Sequence, residues 1–182
     1  MASLANAGEY VVEVRLCSLA PPCPTRYAHN SLVIEEDRMP SVSDLLVRKG
    51  TAIVSVAPTS TVLEAAHIMN DKGIGGVVVM QDDKLVGIFT ERDIMRRVVA
   101  ANRDPSTTLV SDVMTAECLT IVPDMKIAVC RAMMSARRIR HLPVVHDGVL
   151  VGMVTSGDVL AFEVTEAEAQ IEQLEKYVFD VR

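Results

Sequence analysis

Residues 85–94 read LVGIFTERDI and residues 150–159 read LVGMVTSGDV. Each is Leu-Val-Gly, two apolar residues, Thr, two variable residues, Asp and one more apolar residue. A strand that stops at the Thr, with a helix opening straight after it, leaves free backbone N–H groups at the helix mouth, where the helix dipole favours an anion. The Thr hydroxyl adds a donor. The Asp one turn on can accept two hydrogen bonds from a vicinal diol. A ribose phosphate offers that combination of diol and anion. Thr-x-x-acid at a helix start is also an ordinary capping box. Its recurrence in one register, after the same Gly-containing strand, favours the binding reading.

The two stretches belong to a longer internal repeat. Sliding the chain by 65 residues places Pro58 on Pro123, Met69 on Met134, Ile74 on Ile139, Val79 on Val144 and Asp82 on Asp147, without a gap. From residue 58 to 94 the shift gives ten identities in 37 positions, and most other apolar positions stay apolar. The entry segments SDLL (43–46) and SDVM (111–114) also match if the first copy carries three extra residues.

Each copy predicts the same elements. A short strand comes first (Ala52–Val56; Leu119–Val122). A helix follows, opened in copy one by a Thr61/Glu64 capping box and stopped at Gly73, with Val62, Ala65, Ala66 and Met69 on one face. In copy two Asp124 is the expected cap, and Ile127, Cys130 and Met134 face inward. Two strands then meet across a tight turn, with Asp147-Gly148 a strong hairpin signal. A second helix opens after Thr90 or Thr155. The fold class is therefore α/β (α+β): two pseudo-symmetric βαββα units followed by a C-terminal helix. One unit is marginal as a core by itself. Packing the two sheet to sheet covers both and makes two clefts related by a pseudo-two-fold axis.

Composition limits the function. Hydrophobic residues make up 49% of the 182 and charged residues 23%, so the chain can bury a core. Aromatics are 3%, with no Trp, which argues against single-strand nucleic-acid binding by stacking. The 18 Lys and Arg against 24 Asp and Glu give a net charge of −6, which argues against a phosphate-backbone partner. The acidic excess sits mostly in 159–182, whereas 131–141 (RAMMSARRIRH) holds Arg131, Arg137, Arg138 and Arg140 and no acid, so a local anion site remains open. No uncharged apolar run is long enough to span a membrane. Cys17, Cys23, Cys118 and Cys130 form no CxxC pair and read as reduced thiols of a cytoplasmic protein. No residues pair at catalytic or metal-ligand spacing, so no catalytic residue and no metal ligand is assigned.

Four segments are expected: a poorly patterned arm at 1–38, repeats at 40–102 and 107–162, and an acidic amphipathic helix at 163–182. The arm reads either as flexible, with a short strand alternation at Tyr10, Val12, Val14 and Leu16, or as sequence upstream of a native start at Met39. In the tail, Leu160, Val164, Ala167, Ile171, Leu174 and Val178 are spaced 4, 3, 4, 3, 4, as in a coiled-coil seam. That seam packs either on its own module or on a second chain.

Taken together, SDLL/SDVM, IGGVVV/IRHLPVV, LVGIFTERDI and LVGMVTSGDV resemble a tandem pair of cystathionine-β-synthase (CBS) domains, a Bateman module, over about residues 40–162. The resemblance implies two βαββα units, an adenosine-type ligand (AMP, ADP, ATP, NAD or S-adenosylmethionine) as effector rather than catalytic cofactor, and a flat homodimer. Carried over residue by residue, it places Asp93 and Asp158 on ribose hydroxyls and Thr90 and Thr155 near ribose or phosphate. Adenine would lie against Ile53, Val54, Ile74 and Gly75 in one cleft, and against Leu119, Ile139 and Arg140 in the other, with each cleft mixing the two copies. The copies differ at the phosphate end: Arg140 faces Gly75 across the repeat, and Arg92 faces Gly157. Two unequal clefts are expected. The first copy also lacks the proline of the second copy's Leu-Pro-Val. The expected function is a non-catalytic regulatory module whose output passes to a regulated protein in trans or through the homodimer. The alternative is a dimerisation protein with vestigial clefts.

Overall fold

The structure, a computed structural model, describes Val11–Val12 and residues 39–179, with backbone alone for Val11, Val12 and 177–179. Cys17, Cys23 and the rest of the predicted arm lie outside the described residues, as do 180–182. Val11–Val12 form a two-residue strand, β1. The first copy then runs α1 (Val42–Lys49), β2 (Ile53–Val56), α2 (Val62–Lys72), β3 (Gly76–Gln81), β4 (Lys84–Thr90) and α3 (Glu91–Asp93), which widens into a π-helix at Ile94–Val99. The second copy runs α4 (Val110–Val113), α5 (Ile127–Arg137), β5 (His141–His146), β6 (Val149–Thr155) and α6 (Ser156–Phe179). One sheet has the order β1-β2-β3-β4 and the other is the β5-β6 hairpin.

The 65-residue shift holds at the level of register. Val79↔Gly87 and Met80↔Leu85 flank a bulge in one hairpin, and Val144↔Gly152 and Val145↔Leu150 flank the same bulge in the other. The missing proline in the first copy leaves the path unchanged. Asp82-Asp83 and Asp147-Gly148 turn the two hairpins, all four at positive φ, as a twisted two-residue hairpin requires. The capping box of α2 forms as the spacing predicts: Glu64 N donates to Thr61 Oγ1 (3.2 Å) and Thr61 N to Glu64 Oε2 (2.9 Å). Gly73 ends α2 in the left-handed conformation.

Two expectations for the second copy change. Leu119–Val122 is not a full strand; it shrinks to one parallel bridge, Ile121↔Val144. Ile121 N donates to Pro143 O (3.0 Å) and Val145 N to Ile121 O (2.8 Å). The next pairing, the counterpart of Ser55↔Val78, would need an N–H from Pro143, which has none. Asp124 is also not the cap of α5. The helix begins at Ile127 after Lys126. Ile127 N donates to Pro40 O (3.0 Å), so the segment ahead of α1 satisfies that helix end.

The entry helices cross over. α1 contributes Val42, Leu45 and Leu46 to a core with Ile127, Leu142 and Val154 of the second copy. α4 contributes Val110 and Val113 to a core with Val62, Met69 and Phe89 of the first. Matching backbone bonds hold both exchanges: Val42 N to Met125 O and Val110 N to Ser60 O, each 2.8 Å. The motif glycines make room for them. A Cβ on Gly87 would stand 2.8 Å from Thr115 O, and one on Gly152 would stand 2.8 Å from Leu46 Cδ2. Between the sheets Ile53, Val78 and Leu150 are buried with Met80, Leu85, Val145 and Met153 packed on them. The sheets therefore face one another as expected. The helix after Thr155 does not stop at the module. It continues unbroken through the tail as the 24-residue α6.

Candidate functional site

Two clefts open where the copies meet. The first, about 320 Å³, is lined by Thr90, Arg92 and Asp93 from copy one and by Leu119, Ile139 and Arg140 from copy two. The second, about 500 Å³, is lined by Thr155 and Asp158 from copy two and by Val54, Ile74 and Gly75 from copy one. Arg140 and His141 border both. Eleven of the twelve residues singled out in the sequence thus line these two cavities. Ile53 does not: it is 3% exposed in the core between the sheets. In a period-2 strand its neighbour Val54 points the opposite way, and Val54 reaches the cleft.

Both motif carboxylates are at work as helix caps. Asp93 Oδ2 accepts from Thr90 N (3.0 Å) and Thr90 Oγ1 (2.6 Å), and Thr115 Oγ1 donates to Oδ1 (3.4 Å). Arg97 Nη1 lies 3.5 Å from Oδ1. Asp158 Oδ2 accepts from Thr155 N (2.7 Å) and Thr155 Oγ1 (2.8 Å). Lys49 Nζ also bonds Asp158 Oδ2 and donates to Met153 O (3.0 Å). Burial works to raise the Asp158 carboxyl. Lys49 and the Thr155 donors outweigh it and hold the group below the ordinary aspartate value. Capping leaves Asp158 partly open: the Thr155 donors and Lys49 gather on Oδ2, so one hydroxyl of a diol can reach Oδ1 and the other must compete with Lys49.

Lys49 was not legible in the sequence. It ends α1, which the exchange of entry helices delivers to the opposite copy. Its neighbour Arg48 bonds Glu166 Oε1 on α6 (2.6 Å) and sits 4.5 Å over the Phe162 ring. The clefts also differ in their other cations. Arg92 Nη1 donates to Arg138 O (2.6 Å) at the end of α5. Arg137 lines the first cleft. Arg140 Nη2 lies 3.8 Å from Glu91 Oε2, with both side chains largely exposed. His141 stands between the two clefts. Burial, with Arg140 and Lys49, lowers its pKa from the ordinary 6.5, against the pull of Glu91 and Asp158. Burial pushes the Cys118 thiol up in the first cleft and the Cys130 thiol in the core up to about 11, so both stay protonated. Both cysteines are free. Among the described residues no group of three or more His, Cys, Asp or Glu is placed to hold a metal, and no helix is long and apolar enough to cross a membrane.

Residues 42–100 and 110–164 each match the CBS domain family. The chain is 32% identical over 147 residues to the mitochondrial CBS domain-containing protein CBSX3 of Arabidopsis thaliana, covering 76% of this chain and 71% of that one. It is 34% identical over 131 residues to the CBS domain-containing protein YhcV of Bacillus subtilis, covering 72% of this chain and 91% of the relative. A crystal structure of a CBS-domain protein from Agrobacterium tumefaciens superposes with a TM-score of 0.66 at 34% identity, over 68% of this chain and 99% of that chain.

Proposed function

The chain belongs to the CBS-domain family, whose members are in general regulatory and bind adenosine-containing ligands, and we propose that it senses adenosine nucleotides without catalysis of its own. One observation carries this: each cleft joins the Thr-x-x-Asp of one copy to the apolar wall of the other. A nucleoside in either cleft ties the two copies together, and that differential contact is what allows a ligand to shift a conformational equilibrium. Adenine rests on Leu119 and Ile139 in the first cleft and on Val54 and Ile74 in the second. The ribose diol takes Asp93 or Asp158. The anion takes Arg92 or Arg140; the helix-mouth N–H groups that the sequence offered are engaged, Glu91 N with Gly75 O (3.2 Å) and Ser156 N with Arg140 O (3.0 Å).

Lys49 and Arg48 supply a route outward. A diol on Asp158 competes with Lys49 for the carboxylate, and Arg48 next to it holds α6 through Glu166 and Phe162. The state of the second cleft thereby biases the C-terminal helix, where a regulated partner reads it. A homodimer fits the same surface. Met95 and Val99 are exposed on copy one, and their counterparts at the 65-residue shift, Leu160 and Val164, are exposed on copy two. The compartment we assign is the cytoplasm, with which the free Cys118 and Cys130 are compatible; the Arabidopsis relative's name places that protein in mitochondria.

The test is a thermal-shift panel of AMP, ADP, ATP, NAD, NADH and S-adenosylmethionine. A ligand at 100 times its dissociation constant adds about 2.7 kcal/mol of stability. Asp93→Ala or Asp158→Ala is expected to remove the contribution of its own cleft. No response to the whole panel would leave a dimerisation protein with vestigial clefts. The exposed seam of Ile171 and Leu174 on α6 favours that second reading.

A further inference from the structure

A third cavity, of about 360 Å³, lies between the end of α5 and the start of α6, with Arg92, Arg131, Arg138 and Arg140 set around a largely apolar wall that includes Met134 and Leu160. It shares Arg92, Ile139 and Arg140 with the first cleft. We infer that this basic groove takes the outer phosphates of a nucleotide seated in the first cleft, so that the cleft selects nucleoside di- and triphosphates over the monophosphate. The inference rests on the reading of the first cleft as a nucleotide site.

The repeat does not preserve these arginines. At the 65-residue shift, Ala66, Gly73 and Gly75 stand where the second copy has Arg131, Arg138 and Arg140, and Gly157 stands where the first has Arg92. Arg138 closes α5 at φ 53, a left-handed position that Gly73 fills in copy one and that an L side chain occupies at a cost. The four guanidinium groups meet two carboxylates. Arg131 Nε lies 3.1 Å from Glu163 Oε1, and Arg140 Nη2 lies 3.8 Å from Glu91 Oε2. The groove is left with an excess of positive charge in a chain that is acidic overall. Guanidinium groups bind phosphate oxygens in pairs of charge-assisted hydrogen bonds. Arg131 and Arg140 are more than half exposed, so each can exchange its carboxylate for a phosphate.

The experiment compares AMP, ATP and inorganic tripolyphosphate by titration calorimetry on the full chain. The variants are Arg131→Gln with Arg138→Gly, and a charge-matched control, Lys84→Gln with Arg103→Gln, at exposed positions outside the groove. Arg138→Gly restores the residue that the left-handed cap favours, so misfolding does not account for a loss. The expected result is ATP binding the first cleft about tenfold more tightly than AMP in the wild type and the control. In the groove variant the ratio falls to about one while AMP binds as before. A ratio near one in the wild type, or a ratio that the control lowers as much as the groove variant does, overturns the inference and leaves the nucleotide reading intact. If no adenine nucleotide binds, that reading falls, and tripolyphosphate decides the groove alone. Binding lost in the groove variant supports it, and no binding overturns it.

Discussion

The two clefts share a backbone and differ in what the crossed-over helices bring to them. Behind α4, Thr115 enters the first cleft and donates to Asp93, whose side chain is 12% exposed and also faces Arg97. At the end of α1, Lys49 enters the second cleft and pairs with Asp158, whose side chain is 22% exposed. One carboxylate receives a neutral hydroxyl from the exchanged segment, and the other an ammonium group. Duplication thus fixes where a diol can dock, and the exchanged segments decide how freely it does so.

The strongest way to break this comparison is to remove each carboxylate. Asp93→Ala is expected to cost about 2 kcal/mol of stability, because it strips the helix cap and takes from Thr115 its carboxylate acceptor, while Arg97 keeps its bonds to Val113 O and Met114 O. Asp158→Ala is expected to cost about 1 kcal/mol, since its ion pair is partly solvated. Denaturant melts read both values, and calorimetry should show each variant losing one binding event. Equal costs would mean that the two carboxylates are held alike.

Lys49→Gln sharpens the contrast from the other side. Without the ammonium group, Asp158 is left to the diol, and adenosine, which brings no phosphate, should bind the second cleft about two- to fivefold more tightly. The first cleft should not change. Weaker adenosine binding would show that Lys49 holds the ligand rather than competing with it.

His141 sits between the clefts and gives the pair a pH dependence. Its folded pKa is lowered by burial first and by Arg140 next. The folded protein therefore binds fewer protons there than the unfolded chain, and stability rises with pH through that window. The contribution is fully present above the ordinary value of 6.5 and is lost as the pH falls through the folded value. Melting temperature should drop between about pH 7.5 and 5.5 in the wild type, and by less in His141→Gln. A variant that tracks the wild type would assign the drop elsewhere.

What the sequence disclosed was local or periodic. The 65-residue shift carried the hairpin registers, the Thr61/Glu64 box and the left-handed Gly73, because each depends on residues within a few positions of one another. What it concealed was tertiary. SDLL and SDVM could pack on either copy, and no spacing tells which. The sign of the exchange was the Gly87/Gly152 pair, whose missing Cβ atoms leave space for the other copy's entry segment. Lys49 followed from that exchange and was hidden with it. The short second-copy strand was legible in principle, since Pro143 removes the N–H that a longer ladder would use. Ile53 was misjudged by one residue, and in a strand one residue separates core from cleft.

The smallest expected effect isolates the hairpins, where the copies differ by a single turn residue. Asp83 and Gly148 occupy the same place, at φ 59 and φ 79. Glycine reaches positive φ without a Cβ clash, and aspartate does so at some cost. The flexibility that Asp83→Gly adds to the unfolded chain offsets part of the relief. The net gain should be about 0.5 kcal/mol, or about 1–2 °C in melting temperature for a chain of this size. The reverse change, Gly148→Asp, should lose a similar amount. If both variants move in the same direction, the two turns are not interchangeable, and the equivalence of the hairpins ends at their backbone register.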